Sequence, residues 1–490
     1  MSTFHGLEMA KQALFAQQAA LYTTGNNISN ANTEGYTRQR VNFETMSPYP
    51  SASRNRPEMP GQMGTGVRAG TIERVRNEYL DTQYRGENSK AGYWQTKSDA
   101  LSRMESLLNE PSENGLSNTM DKFWQSLQDL ASNPENSGAR SVVAQRGEAL
   151  ADTFNYLQSS LSTIRSDLSN QMDVTVSNAN SILKQINNIN AQVKEIEPHG
   201  YLANDLYDER DRLIDQLSSI VNVKVSYSKS GDGALESAPG LATVELVNDS
   251  GKSFDPKMTL VDGTKTGDEA INRFEFNGDE DSASVSIEGK TLPLSGVSQT
   301  GALNALIHSY NNDYPDMQKQ LEDMAIAFKN EFNKVHSLGV DKNGEPGIEF
   351  FEIDNDGKMK VNADILKNKD LIAASTDKTM NGDNAKNLAD IFQKNDLEIG
   401  GSKTSVKSYF QSIIGDMGVK AQEANKQAKN TDILRSQVEN QRSSVSSVSL
   451  DEEISNLIKF QQAYNAAARS MTTVDEMIDR IINNLGLVGR

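Results

Sequence analysis

From Leu450 to Leu485 a set of positions steps alternately by four and three residues, and this repeat constrains the fold more than any other feature of the 490-residue chain. The positions hold Leu450, Ile454, Leu457, Gln461, Tyr464, Ala468, Met471, Asp475, Ile478, Ile482 and Leu485, all apolar except Gln461 and Asp475. At 1.5 Å per residue the helix they describe is about 54 Å long. Ser449 and Glu452 carry the capping-box signature at its start, and Asp451, Glu452 and Glu453 place negative charge at the positive end of the helix dipole. An apolar stripe of that length requires a cover. The candidates are a stripe elsewhere in the same chain or the equivalent helices of other copies. Gln461 and Asp475 on the seam suit the second arrangement, because polar seam residues specify register in multichain packing. Both arrangements satisfy the pattern.

The other end of the chain offers the matching element. Leu7, Leu14, Leu21 and Ile28 recur every seven positions, flanked by Ala10, Ala13 and Ala20, which predicts a helix from residue 3 to about Asn32. It stops where Asn26-Asn27-Ile28-Ser29-Asn30-Ala31-Asn32-Thr33-Glu34-Gly35 replaces helix formers with residues that favour local side-chain bonds and turns. Short strand-like pieces follow, Arg40–Phe43 and Val67–Ile72, separated by Pro48, Pro50, Pro57, Pro60 and several glycines, as in a long β-hairpin. Helical spacing then covers about 73–108, 116–131, 137–196 and 203–221, returns at 302–336, and runs again from about Val406 to the end. Between Val223 and Ser298 the text alternates, as in Val223-Lys224-Val225-Ser226-Tyr227 and Arg273-Phe274-Glu275-Phe276. Short strands with Gly/Asp turns are expected there.

These readings give an α+β chain with long coiled-coil-like terminal helices, a helical core body built from both chain halves and an inserted β-rich domain. The expected divisions are 1–75 with 445–490 as a terminal helical polymerisation domain plus β-hairpin, 76–222 with 299–444 as a helical core, and 223–298 as the β insertion. Two to four domains are ordinary for this length.

Chemistry is conspicuous by exclusion. There is no cysteine, which removes disulfides, thiolate metal sites and thiol catalysis. The four histidines, His5, His199, His308 and His336, are isolated, with no acidic partner at ligand spacing. Gly64-Thr65-Gly66-Val67-Arg68-Ala69-Gly70 misses the dinucleotide fingerprint by one residue and lies in strand-like text, so it reads as turn chemistry. Asp341-Lys342-Asn343-Gly344 and Asp354-Asn355-Asp356-Gly357 look calcium-like, yet neither completes a twelve-residue loop. Neither a Gly-x-Ser-x-Gly elbow nor a phosphate loop occurs, so no enzyme and no cofactor is expected. With 49 basic against 67 acidic residues the net charge is −18, which repels nucleic acid and anionic membrane surfaces. No cleaved general signal and no membrane-spanning run is expected.

The terminal residues themselves resemble a known family. Gly6-Leu7, Ala10, Ala13-Leu14 and Ala20-Leu21, followed by Thr23-Thr24-Gly25-Asn26-Asn27-Ile28-Ser29-Asn30-Ala31-Asn32-Thr33-Glu34-Gly35-Tyr36-Thr37-Arg38-Gln39, are similar to the N-terminal signature of axial flagellar proteins. The Thr-Thr-Gly-Asn-Asn opening and Arg-Gln ending resemble the flagellar hook-associated protein 1 branch, although Glu34 stands where that family usually has proline and Ser29 where alanine is common. Leu450-Asp451-Glu452-Glu453, Leu457, Lys459-Phe460-Gln461-Gln462-Ala463-Tyr464 and Ala466-Ala467-Ala468 are similar to its other end. Gly64-Thr65-Gly66-Val67 with Ile72 and Arg74, Tyr79-Leu80 with Gln83 and Arg85, and Asn333, His336, Gly339, Asp341, Gly344 and Gly347 before Phe350-Phe351 agree in order.

The resemblance implies a secreted structural adaptor joining flagellar hook to filament at the extracellular hook–filament junction, exported through the type III apparatus. It implies self-association in a ring, contacts with the hook protein and with hook-associated protein 3, and an export chaperone on the C-terminal helix. A secreted adhesin, or another rod-, hook- or filament-type axial component, is the alternative. The residues expected to carry assembly are Leu7, Leu14, Leu21, Ile28, Asn30, Asn32, Gly35 and Tyr36 at one end, and Leu450, Ile454, Leu457, Ile458, Tyr464, Met471, Ile478, Ile482 and Leu485 at the other.

Overall fold

The computed structural model describes residues 4–50, 54, 61–108, 115–279, 282–292, 298–354 and 357–484. In chain order the helices are α1 (Phe4–Ser29), α2 (Glu78–Leu108), α3 (Leu116–Ser132), α4 (Ser137–Ile196), α5 (Asn204–Ile220), α6 (Ala302–His308), α7 (Tyr314–Leu338), α8 (Ala363–Lys367), α9 (Asp383–Asp390), α10 (Val406–Ser446) and α11 (Leu450–Asn484). The strands are β1 (Gln39–Thr45), β2 (Val67–Arg74), β3 (Val223–Ser228), β4 (Leu241–Val247), β5 (Ser253–Val261), β6 (Phe274–Gly278), β7 (Ala283–Ile287), β8 (Lys290–Thr291), β9 (Phe351–Ile353), β10 (Met359–Val361), β11 (Leu397–Ile399) and β12 (Ser402–Thr404). All strand pairs are antiparallel. The chain divides into two compact units, the first formed by 1–88, 179–273 and 432–490, the second by 89–178 and 274–431.

The first unit is assembled from both termini and the middle of the chain. α1 and α11 lie antiparallel, with Gly6 beside Val474 at one end and Asn27 bonded to Glu453 at the other. The β1–β2 hairpin runs along α1: a Cβ on Gly66, whose φ is +105°, would meet the Met9 side chain at 3.0 Å. Its register shifts between Asn42 and Phe43, a bulge that goes with Phe43 meeting Phe460 of α11 edge-on at 6.1 Å. Beneath them the C-terminal part of α4, α5 and the β3–β4–β5 sheet form a base. Central strand β4 is buried along most of its length, as its run Leu241-Ala242-Thr243-Val244-Glu245-Leu246-Val247 leads one to expect. Arg210 of α5 lies fully buried between the rings of Tyr207 and Tyr227, 5.4 and 5.2 Å from their centres, and donates to Asn190 Oδ1 and the Gly240 carbonyl.

The second unit has an aromatic core. Phe123 of α3, Phe328 and Phe332 of α7, Phe350, Phe351 and Phe392 form a mutual cluster with ring centres 4.8–6.0 Å apart. Gly147 of α4 is required there, since a Cβ would stand 2.8 Å from the Phe350 ring. Asn333 accepts from the backbone N–H groups of Phe350 and Phe351 at 2.9 Å and donates to the Phe351 carbonyl at 2.7 Å, which pins the pair in place. Between α6 and α7 lies a π-helical segment, Ser309–Asp313, whose side chains spread to several elements. Asn311 pairs with both backbone groups of Ala283, Tyr310 donates to the Asp279 carbonyl, and Asp313 with His308 receives the buried Lys97 ammonium.

The strand-rich text over 223–298 forms two sheets rather than one insertion: β3–β5 belongs to the first unit and β6–β8 to the second, divided at Arg273/Phe274. Alternation identifies strands but not which strands pair, and the hydrogen bonds between Asp262 and Ala270 and between Asn272 and Leu260 close the first sheet off before β6 begins. The stretch 362–405, over which no element is predicted, holds α8, α9 and the β11–β12 hairpin. The Asp341 loop is a self-satisfied turn, its carboxylate accepting from the Asn343 and Glu345 N–H groups, and Asn355 and Asp356 of the second calcium-like loop lie outside the described residues.

His336 is buried and serves as a bridge. The Ala373 N–H donates to its Nε2 at 2.9 Å, so Nδ1 carries the proton and donates to the Ile348 carbonyl at 2.6 Å. Burial pushes its pKa down to about 4. An imidazole that must stay neutral when folded but titrates near 6.5 when unfolded makes the folded state bind fewer protons between those values. Stability contributed by His336 is therefore complete above about pH 6.5 and is lost as pH falls towards 4, at most about 3 kcal/mol. Urea unfolding at pH 7 and pH 4.5 should show wild type losing more stability over that range than His336→Gln, which starts lower and changes less.

Candidate functional site

The two terminal helices meet along small residues. On α1 the buried positions are Ala10, Ala16, Ala20, Thr23, Thr24 and Asn27. Leu7, Leu14, Leu21 and Ile28, expected to form the seam, are half-buried and occupy its flank. Alanine allows closer backbone approach, so the helix turns its small face inward. Opposite it α11 offers Leu457, Phe460, Ala463, Ala467, Met471, Val474 and Ile478, all half-buried. Of the predicted C-terminal stripe this seam takes Leu457, Met471 and Ile478. It leaves Leu450, Ile454, Tyr464 and Ile482 exposed, together with Ile458, while Leu485 lies outside the described residues. Gln461 and Asp475, placed on the seam by the repeat, are exposed.

α11 is thus apolar on two adjoining faces, and only one is covered. Leu450, Ile454 and Ile458 follow each other at four-residue spacing along one side, 48, 50 and 53% exposed. Towards the far end Met477, Ile481 and Ile482 are exposed. α1 has an open side too. Phe4, Phe15 and Tyr22 project there, with Glu8, Lys11 and Gln18 at the intervening helical steps, and the Lys11 ammonium stands 6.0 Å from the Phe15 ring centre.

The sequence motif after α1 supports this pair from inside. Asn27 has 1% exposure and all four of its amide hydrogen-bonding sites are used. Its Nδ2 donates to the Gln39 carbonyl at 2.8 Å and Glu453 Oε2 at 3.1 Å, and its Oδ1 accepts from the Gln39 N–H at 3.0 Å and the Tyr36 hydroxyl at 2.8 Å. Arg38 completes the knot. Its N–H donates to the Ser446 carbonyl, and its guanidinium pairs with Glu452 at 2.6 Å and Glu453 at 3.0 Å. Asn30 bonds back to Asn26, Asn32 is exposed, and Gly35, with φ +82°, lies against the Arg212 side chain. These residues build the turn; the open apolar side chains lie on the helices.

Below the knot lies an ionic cluster that sequence reading missed. Asp211 of α5 is buried and pairs with Arg74 at 2.9 Å, Arg76 at 3.2 Å and Arg85 at 3.1 Å. Asp208 takes Arg74 and the Thr37 N–H, Asp81 takes Arg76, and Asp215 takes Arg85 and Arg442. Burial pushes the Asp211 carboxyl upward, but Arg76, Arg74, Arg85 and Arg210 outweigh it and hold the group well below the usual carboxylate range. Asp208, facing fewer cations, is shifted up by its burial. The only sequence hint is the run of arginines at 74, 76 and 85 against aspartates at 208, 211 and 215, which looks like two solvated faces. Among the described residues no group of three or more His, Asp or Glu is placed to hold a metal ion, and no helix is long and apolar enough to cross a membrane.

Comparison with known proteins agrees with this architecture. Residues 101–351 match the model of the flagellar hook-associated protein FlgK helical domain, 7–37 that of the flagella basal body rod protein, and 439–485 that of the flagellar basal body rod FlgEFG protein C-terminal region. The chain is 43% identical to flagellar hook-associated protein 1 of Bacillus subtilis across the full length of both. The chain belongs to the flagellar hook-associated protein 1 family. With the Salmonella typhimurium member it shares 25% identity, covering 97% of this chain and 98% of the other. The structure of the flagellar hook junction protein FlgK from Burkholderia pseudomallei superposes with a TM-score of 0.60 at 14% identity, over 74% of this chain and all of that one, a likeness of fold.

The cluster around Asp211 generates a test of what holds the base. Asp211→Asn should cost about 3 kcal/mol in denaturant unfolding, because it removes one negative charge from a buried cluster in which Arg74, Arg76 and Arg85 then keep only Asp208, Asp81 and Asp215. Glu209→Gln, which removes a surface partner of Arg212, should change stability by less than about 1 kcal/mol.

Proposed function

We propose that this chain is a structural adaptor of the bacterial flagellum that joins hook to filament, assembling as a ring through its terminal helices. The observation that carries the reading is the uncovered face of α11. Leu450, Ile454 and Ile458 remain about half exposed although α1 is already packed on the neighbouring face. Completing the burial of three such side chains is worth roughly 2–4 kcal/mol per contact, before ordering costs, and a ring repeats the contact at every subunit. Heterologous contacts that close into a ring need two different surfaces on each copy, and the open sides of α1 and α11 supply a pair.

Membership of the family and the chemistry of the open faces support one set of partners. They are further copies of this chain, the hook protein on one side, hook-associated protein 3 on the other, and an export chaperone that would cover α11 before assembly. Export places the protein outside the cell. No catalytic step and no cofactor is part of this role.

The reading is tested in a strain lacking the gene. It should be non-motile, with hooks free of filaments by electron microscopy, and wild-type swimming of that strain would reject the adaptor role. Complementation with Ile454→Asp/Ile458→Asp should leave filaments missing, while the purified variant melts within a few degrees of wild type because both side chains are exposed in the monomer.

A further inference from the structure

The seam between α1 and α11 has a property that its composition does not explain. Gly6 and Asn27, which meet Val474 and Glu453 of α11, stand three heptads apart on α1 with Ala13 and Ala20 at the steps between, and the half-buried residues of α11 are apolar at repeating spacing, so sliding one helix by seven residues presents much the same pattern. A slide that carries Gly6 from Val474 to the level of Ile481 would extend the cover of α11 over Ile481, now 42% exposed, and the shift is about 10 Å. Hydrophobic burial alone gives little reason for the observed register.

We infer that Asn27 and Glu453 set the register of the terminal helix pair, holding α1 back from the end of α11. In the observed register the Asn27 amide satisfies all four of its hydrogen-bonding sites, one of them on Glu453, whose carboxylate also pairs with Arg38. Slid by seven, Asn27 would face Phe460 in place of Glu453, and a buried amide against an aromatic ring loses a partner it cannot replace. Glu453 would be left against the empty end of the seam. The polar pair therefore penalises the slid register, as a lone buried asparagine does in other coiled helices. Its consequence is the exposure of Met477, Ile481 and Ile482 at the end of α11. That this exposed end serves assembly rests on the function proposed above, whereas the role of Asn27 and Glu453 in register does not.

The absence of cysteine makes the register directly readable in the full-length protein. Gly6→Cys/Val474→Cys reports the observed register, and Gly6→Cys/Ile481→Cys the slid one. In the otherwise wild-type chain, mild oxidation should trap the first pair and leave the second essentially unlinked. Adding Asn27→Leu should raise cross-linking of the 6/481 pair at least tenfold and lower that of the 6/474 pair. Trapping of 6/474 alone in Asn27→Leu, with only a lower melting temperature, would overturn the proposal by reducing Asn27 to a general stabiliser. If Asn27→Leu links neither pair, Glu453→Leu is read in the same way. There 6/481 cross-linking supports the proposal, and 6/474 alone, or no cross-link, overturns it. A loss of motility without a register change would bear on the adaptor reading and not on this one.

Discussion

The carboxylate of Asp211 is the contact on which the first unit depends. It draws together Arg74 from the end of the hairpin, Arg76 from the connection and Arg85 from α2, and through Asp215 the same network reaches Arg442 near the end of α10. Every segment that leads to or from the terminal helices passes through this cluster or the Asn27–Arg38–Glu453 knot above it. The reason lies in the seam. Alanine buries far less apolar area than leucine, so an alanine-lined pair contributes little stability of its own and takes its support from the base, while Asn27 and Glu453 fix how far one helix is slid along the other. Ion pairs buried at 2.8–3.2 Å are poor sources of net stability but are unforgiving of displacement, since separating them strands a charge. They suit a base whose task is to aim a weakly bound pair of helices.

The second unit solves a different problem with different chemistry. Its six-phenylalanine cluster supplies burial outright, and its polar members, Asn333 and His336, spend their hydrogen bonds on the backbone of the segments that carry Phe350, Phe351 and Ala373. The ordered set of Asn333, His336, Gly339, Gly344 and Gly347 is therefore core construction. A Cβ on Gly347 would stand 2.2 Å from the His336 carbonyl oxygen, and Gly344 has φ +81°. What the sequence offers as an ordered family resemblance is here the means of turning a chain tightly around an aromatic core.

Much of the helical text was legible because helix period is a local property. The bounds expected for α4, 137–196, are those observed, and the capping residues ahead of α11 mark its start. Strands were legible as strands, yet the partition of 223–298 between two sheets depends on pairings that no local pattern encodes. The candidate site was half legible. A four-three repeat cannot distinguish a helix with one broad apolar face from a helix with two, so it passed through Leu457 and Ile478 on the covered side and Leu450 and Ile454 on the open side without a break. On α1 the leucine heptad drew attention from the alanines that make the contact. The ionic cluster was illegible because arginines and aspartates far apart in sequence are ordinarily solvated, and their meeting is a product of the fold.

An open apolar face is a hazard for any chain that must stay soluble before it assembles, and the placement of charge answers it. Lys11 stands over Phe15 and pairs with Glu8, so the aromatic side of α1 carries both signs of charge between its rings. Asp451 and Glu452 flank Leu450 and Ile454, and Lys459 adjoins Ile458. Charges beside apolar residues weaken indiscriminate contact, which offers no partner charge, more than they weaken a matched one. The chain's net charge of −18 adds repulsion between free copies. Association is then favoured only where several apolar side chains and their neighbouring charges are met together, in one orientation and one register. That requirement explains why the helix pair is aimed by buried ions and a fully bonded asparagine: a face whose specificity depends on matched spacing is useful only if the spacing is held.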